Sequence, residues 1–143
     1  MSLAINDLLS PALKAKLARI SDKRPILVAA GAALASVATR AFRDPALRPA
    51  EWNTKFSDAT LRKPGRSGPL IDTSALFRSL LAKDPTGDSV EVGTDREYGL
   101  FHQFGTKHLP ARPFFPVVGD SLTPAAEKAV RSAIEGQINA ILR

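Results

Sequence analysis

The chain contains two histidines, His102 and His108, and histidine is the side chain most often used for proton transfer and metal binding. They lie on either side of Gly105, so they lack the spacing that places two zinc ligands on one face of a helix. No carboxylate motif accompanies them, and the absence of cysteine excludes thiolate sites and disulfides. We therefore expect no metal, no cofactor and no catalytic centre. His102 is interpreted as a hydrogen-bonding residue beside neighbouring aromatic rings.

Residues 63–69, with the sequence KPGRSGP, share only part of the pattern of a phosphate-binding loop. The segment lacks the spaced glycines followed by Lys-Ser or Lys-Thr, and no buried strand precedes it. No Gly-x-Ser-x-Gly elbow occurs either, and a serine without a nearby base is not nucleophilic. These patterns favour a protein that is not an enzyme.

Arg112 is a stronger candidate for a functional residue, because Pro110 and Pro113 restrict the backbone around it. Its guanidinium projects five donors from this stiff segment. Two roles remain open: a salt bridge within the chain, or a contact with another subunit.

The surrounding residues 98–115 hold five aromatic side chains, two glycines and two prolines in 18 positions. Gly105 follows Leu100, Phe101 and Phe104, where a residue free to adopt positive φ can end a helical turn. The prolines then make the following chain a stiff arm. An arm of this kind with aromatic anchors is typical of a docking segment.

Helix signals flank this region on both sides. Ser10-Pro11 predicts a helix start, Asp22 a second one, and Thr123-Pro124 a last amphipathic helix. The second helix is apolar nearly all round from residue 26 to 42 and should end at Arg43-Asp44-Pro45. Its longest apolar run, 26–38, is shorter than the roughly 20 residues that cross a bilayer.

Two strands, 79–83 and 89–93, are predicted around the turn-forming residues 84–88, with Val90 and Val92 on the buried face of a half-exposed sheet. The arm near Phe114 and Phe115 is expected to add a strand and complete a small sheet. The fold class is α+β, a small antiparallel sheet packed with a long N-terminal helical segment and a C-terminal amphipathic helix that covers the sheet. One domain, 1–143, is expected; its parts are a helical segment 1–43, an irregular basic region 44–69, the sheet and aromatic arm 70–118, and the last helix 123–143.

Charge is unevenly distributed along the chain. Residues 1–67 hold 12 Lys and Arg against 5 Asp and Glu, whereas residues 68–143 hold 8 against 9. The basic excess has two readings, solvated helix faces or a surface that contacts DNA phosphates. The candidate DNA-facing residues are Lys55, Arg62, Lys63 and Arg66. Trp52, in the same region, is expected to pin this polar segment to the core.

Several short pieces occur in an order and spacing that resemble a known family. They are Trp52, Lys-Pro-Gly (63–65), Leu-Ile-Asp-Thr (70–73), Val-Gly-Thr (92–94), His-Gln-Phe-Gly-Thr (102–106) and Pro-Ala-Arg-Pro-Phe (110–114). Together they resemble the tailed-phage virion morphogenesis proteins of the tail-completion type, and the wider group of head-to-tail joining and tail-terminating proteins. One departure is Ser74, where the family's Asp-Thr turn usually continues with glycine.

The resemblance implies a structural virion protein, assembled in the bacterial host cytoplasm, that acts without turnover. Its implied partners are further copies of itself in a homo-oligomeric ring, for which a hexamer is one option, together with phage tail tube and head connector proteins. Non-specific contact with packaged DNA is an additional expectation, and no membrane partner is expected. The predicted contact residues are Phe101, His102, Phe104, Arg112, Phe114 and Phe115. The alternative reading is a basic nucleic-acid-binding module.

Overall fold

The computed structural model describes the backbone of residues 2–4, 9–52, 75–96, 98–107 and 110–142. In chain order the elements are β1 (Ser2–Ala4), α1 (Pro11–Ala18), α2 (Arg24–Arg40), a 3-10 helix (Pro45–Leu47), α3 (Ala75–Arg78), β2 (Leu81–Ala82), β3 (Ser89–Gly93), α4 (Tyr98–Phe104), β4 (Val117–Val118), β5 (Ser121–Leu122) and α5 (Pro124–Ile141). Helices and antiparallel strands occur together, which confirms the α+β class.

The helices begin where their capping residues predict. The Ser10 hydroxyl accepts a hydrogen bond from the Leu13 amide at 3.3 Å, with proline at the first helical position of α1. Asp22 accepts from the Arg24 amide at 3.1 Å at the start of α2. α5 begins at Pro124, directly after Thr123. Local polar side chains therefore fix the starts of α1 and α2.

α2 ends at Arg40, slightly before the predicted stop. Asp44 instead caps the 3-10 helix by accepting from the Ala46 amide at 3.0 Å, and Pro45 occupies the first position of that helix. The chain thus changes direction through a turn that precedes the proline.

The contacts divide the chain into two compact units. The first unit consists of residues 1–36, 81–93 and 124–143, and the second of residues 37–80 and 94–123. That the whole chain is a single domain, with the internal boundaries given above, stays a prediction.

A three-stranded antiparallel sheet in the order β1-β3-β2 belongs to the first unit. β3 lies in the centre, with Val90 opposite Leu3 and Val92 opposite Ala82. The valines are buried and Glu91 is exposed, so one face of the sheet is wet, as the alternation predicts.

α2 lies against this sheet at Gly31. A Cβ at this position would be 2.8 Å from the Ala82 Cβ and 2.9 Å from the Val90 Cγ2, so only glycine allows the helix to approach so closely. α1 contacts α5. The buried side chains of α5 are Ala126, Val130, Ile134 and Ile138. Coverage of the sheet by α5 stays a prediction.

The second unit has a core of aromatic and aliphatic side chains and a short hairpin. Its large buried side chains include Phe42, Trp52, Leu76, Leu80, Phe114 and Phe115. β4 and β5 pair antiparallel around a turn in which Gly119 has φ of 61°. Phe114 and Phe115 form no strand themselves, and the strand near them, β4, pairs with β5 and not with the three-stranded sheet. Prolines at positions 113 and 116 remove the amides that would continue a ladder on either side of the pair.

Candidate functional site

α4 is a helix of seven residues with a defined end. Gly105 has φ of 75° and its amide donates to the Phe101 carbonyl at 2.8 Å, which closes the last turn. This is the helix stop that the position of Gly105 predicts. The left-handed backbone conformation of Gly105 therefore sets the direction in which the chain leaves α4.

The large apolar side chains of α4 point to solvent. Leu100 is 63%, Phe101 53% and Phe104 73% exposed. Their spacing of one, three and four residues places them on one side of the helix. We call these three residues the α4 apolar face. An ordinary surface helix turns such side chains toward the core, so this orientation is reversed.

The opposite side of α4 lies close to the core of the second unit. A Cβ added to Gly99 would be 2.8 Å from the Thr94 Cγ2, 3.4 Å from a Leu76 methyl and 3.8 Å from the Phe114 ring. The helix backbone itself, rather than a large side chain, makes this contact.

Gln103 joins α4 to the segment that follows it. Its Oε1 accepts from the backbone amides of Phe114 at 3.1 Å and Phe115 at 2.9 Å, and its Nε2 donates to the Phe115 carbonyl at 3.4 Å. The Arg112 amide donates to the carbonyl of His102, the preceding residue of α4, at 2.7 Å. α4 and residues 112–115 are thereby tied along their backbones.

The same segment is also held from its other side. The Trp52 Nε1 donates to the Pro113 carbonyl at 2.7 Å, and the Phe114 ring lies 5.1 Å from the Phe42 ring, centroid to centroid. Trp52 meets Phe42 edge to face at 5.9 Å and is 6% exposed. Trp52 is held in the core, as predicted, whereas the rest of its segment, from residue 53, lies outside the described residues.

Arg48 completes this arrangement. Its Nε donates to the Ala41 carbonyl at 2.6 Å and its Nη2 to the Phe42 carbonyl at 3.0 Å, so it caps the end of α2. The guanidinium lies 3.6 Å from the centre of the Trp52 ring, a cation–π contact. Burial lowers the pKa of Arg48 below the usual value of an arginine side chain, and the nearby charge of Asp44 opposes that shift.

His102 and Arg112 are neighbours within the second unit. Arg112 is buried at 8% exposure, and burial lowers its pKa below the usual value of an arginine side chain. The pKa of His102 is lowered from 6.5, first by burial and then by the positive charge of Arg112. The neutral imidazole is therefore the favoured form at neutral pH.

The predicted contact residues fall into two groups. Phe101 and Phe104 are exposed, whereas Phe114, Phe115 and Arg112 are buried and His102 is half-buried. Their participation in a contact with another subunit stays a prediction. The predicted DNA-facing residues Lys55, Arg62, Lys63 and Arg66, and also His108, lie outside the described residues.

Three residues that belong to this site were not predicted from the sequence. Leu100 was assigned only to an apolar run, Gln103 had no role, and Arg48 counted only toward the basic charge. One feature of the sequence could have indicated a role for Gln103. The amides of Phe114 and Phe115 lie between two prolines, and they need a hydrogen-bond acceptor when they are buried.

Other sites in the described ranges offer less chemistry. A cavity of about 330 Å³ in the first unit lies between the start of α2 and the turn before β3. The basic side chains at this cavity form ion pairs: Lys23 lies 3.8 Å from Asp88, and Arg24 lies 3.2 Å from Asp84. Within the described residues no group of three or more His, Cys, Asp or Glu side chains is arranged to hold a metal ion, and no helix is long and apolar enough to span a membrane.

A comparison with protein families gives a match. The sequence model of the phage virion morphogenesis family matches residues 4–139, which extends the resemblance beyond residues 52–115 in both directions along the chain. No curated protein and no solved structure matches the chain. Because the match covers nearly the whole length, the chain belongs to the phage virion morphogenesis family.

Proposed function

We propose that this virion morphogenesis protein is a structural component that forms a ring of identical copies at the head-to-tail junction or at the tail end. In this proposal the α4 apolar face is one side of the contact between adjacent copies. A closed ring is built from heterologous contacts, in which one surface of a subunit meets a different surface of the next. The protein would act by binding, without a chemical step.

One observation carries the proposal, namely the outward orientation of Leu100, Phe101 and Phe104 on a helix whose other side is fixed to the core. A mobile loop can bury its apolar side chains by rearranging. α4 is tied by backbone and Gln103 hydrogen bonds, so covering these side chains calls for another surface. Aromatic residues of this kind are enriched at protein interfaces.

The size of the α4 apolar face suits the centre of an interface. Its three side chains expose on the order of 300–400 Å² if each presents about 200 Å² when fully exposed. A standard interface takes about 800 Å² from each partner. The face would therefore be the apolar core of a contact, and polar residues around it would form the rim.

Sedimentation velocity of the full chain tests the proposal. We expect association of the parent protein, alone or on isolated tail tubes and connector complexes, and we expect Phe101→Ser with Phe104→Ser to weaken it by at least about 100-fold. Leu81→Ser is the matched control, because Leu81 is 66% exposed and belongs to the first unit.

Two results would contradict the proposal. One is a parent chain that remains monomeric at high concentration and on those partner complexes. The other is a double variant that assembles as well as the parent and the Leu81→Ser control.

Contact with DNA is a second candidate, and α1 provides the structural observation in its favour. Lys14, Lys16 and Arg19 are exposed, and no ion pair joins them to another described residue. Binding to duplex DNA should then fall steeply between 50 and 200 mM salt. Binding that is absent at low salt, or that does not change with salt, would remove this candidate.

A further inference from the structure

The α4 apolar face lies on a helix that its own sequence does not stabilise. Isolated helices shorter than about 12–15 residues are marginal in water, and α4 has seven residues. Leu100, Phe101 and Phe104 face solvent, so their burial does not anchor it. Contacts on the opposite side of the helix must therefore hold α4 in place.

Gln103 makes the side-chain contacts that do this. Pro113 and Pro116 have no amide hydrogen, so the only backbone donors of residues 113–116 are the amides of Phe114 and Phe115. Both donate to the single Oε1 of Gln103, at 3.1 and 2.9 Å. Both phenylalanines are buried, at 3% and 9% exposure, where an unpaired amide costs about 1–3 kcal/mol.

We infer that Gln103 is the positioning residue of the α4 apolar face. It supplies the acceptor that two buried amides require, and in doing so it fixes α4 against a segment that Trp52 and Phe42 hold from the other side. The orientation of Phe101 and Phe104 toward a partner is then set before the partner arrives. The role in docking rests on the proposed function, whereas the role in ordering α4 does not.

The inference distinguishes the two chemical functions of the amide side chain. Gln103→Met keeps the length and removes the acceptor and the donor. Gln103→Glu keeps an oxygen that can accept from both amides, but its second oxygen replaces the Nε2 donor and faces the Phe115 carbonyl, which Nε2 reaches at 3.4 Å. If the acceptor is what positions α4, the glutamate variant should lie closer to the parent than the methionine variant does.

Amide hydrogen exchange on the full chain measures this at single residues. In Gln103→Met we expect the amides of Phe114, Phe115 and Gly105 to exchange at least about 10-fold faster than in the parent, because local opening exposes them. The amides of α5, in the first unit, should keep their parent rates and thereby show that the variant is folded. Gln103→Glu should restore part of the protection, because it keeps the acceptor and loses the donor.

Association of the same variants measures the docking role. If Gln103→Met leaves about a tenth of the molecules with α4 in place, the apparent dissociation constant for a second copy should rise about 10-fold, and Gln103→Glu should raise it less. The inference is overturned if the methionine variant keeps parent exchange rates, if the glutamate variant is no better protected than the methionine variant, or if faster exchange leaves association unchanged. A parent chain that never associates removes the proposed function, while the exchange rates still decide whether Gln103 orders α4.

Discussion

At the scale of single residues, hydrogen bonds from side chains to backbone atoms hold the second unit together. Arg48 donates to two carbonyls at the end of α2, Trp52 to the Pro113 carbonyl, and Gln103 accepts from two amides. Each of these bonds satisfies a backbone group that no helix or strand ladder satisfies. Irregular backbone can therefore be ordered in this unit without long strands.

Arg48→Lys tests whether the geometry of the guanidinium matters more than its charge. A lysine ammonium cannot donate to the Ala41 and Phe42 carbonyls in the planar fork that also stacks on Trp52. We expect a loss of about 1–2 kcal/mol in the free energy of unfolding, measured by urea titration with the single tryptophan as the fluorescent reporter. The exposed Arg19→Lys is the control and should change it by less than about 0.5 kcal/mol. Equal effects of the two substitutions would contradict this account.

His102 should make stability depend on pH. Its pKa in the folded protein is below the unfolded value of 6.5, so the unfolded chain binds the proton first as the pH falls. The part of the free energy of unfolding that comes from neutral His102 is fully present above about pH 6.5. It is lost progressively below that pH until His102 is protonated in the folded protein as well. Thermal midpoints between pH 5 and 8 should fall toward acid, and this His102-dependent part should disappear in His102→Gln and survive in His108→Gln. A fall that persists unchanged in His102→Gln would rule out this assignment.

At the scale of elements, α4 and α5 show the same residue type in two different environments. Gly99 lies where α4 approaches Thr94 and Leu76, whereas Gly136 lies on an exposed part of α5 with no atom within 4 Å of an added Cβ. Substitution by alanine should therefore change the stability of the protein in opposite directions at Gly99 and at Gly136.

Gly99→Ala should destabilise the protein by about 1–3 kcal/mol, because the new Cβ would be 2.8 Å from the Thr94 Cγ2. Gly136→Ala should stabilise it by about 0.5–1 kcal/mol through helix propensity. Thr94→Ser removes the clashing methyl but keeps the hydroxyl that bonds Ser79, so it should recover part of the Gly99→Ala loss. Chemical unfolding of the parent, Gly99→Ala, Gly136→Ala and the Gly99→Ala, Thr94→Ser double variant measures these differences. A Gly99→Ala variant as stable as the parent would mean that α4 is not packed closely against Thr94.

Elements with local signals could be predicted from the sequence, because the deciding atoms are close along the chain. Ser10, Asp22 and Thr123 mark helix starts, and Gly105 marks a helix end. β1 was not predicted, since three residues carry little pattern and their pairing with β3 joins distant parts of the sequence. The hairpin of β4 and β5 was missed for a similar reason, because each of its strands has two residues.

The candidate site was predictable in composition but not in orientation. Aromatic density and Gly105 identified the segment, yet the sequence alone does not show that Phe104 faces solvent while Phe114 is buried. That difference depends on Gln103 and Trp52, which reach the backbone of residues 113–115 from other parts of the chain. Tertiary hydrogen bonds of this kind leave no periodic signal.

At the scale of the whole molecule, membership of the phage virion morphogenesis family assigns the chain a role in building the virus particle. The proposed ring places the α4 apolar face between copies. In the second candidate function, the exposed cations Lys14, Lys16 and Arg19 would contact DNA phosphates. These two properties address different partners and can be separated by substitution.

The most direct measurement is photo-cross-linking from position 101 in assembled particles, with a photoreactive phenylalanine analogue in place of Phe101. Because Phe101 is 53% exposed and lies on the α4 apolar face, we predict a cross-link to a second copy of this chain, identified by mass spectrometry of the joined peptides. A probe placed at Leu81 should not give the same product. Cross-links confined to the probe's own chain, or directed only to other virion proteins, would contradict the account.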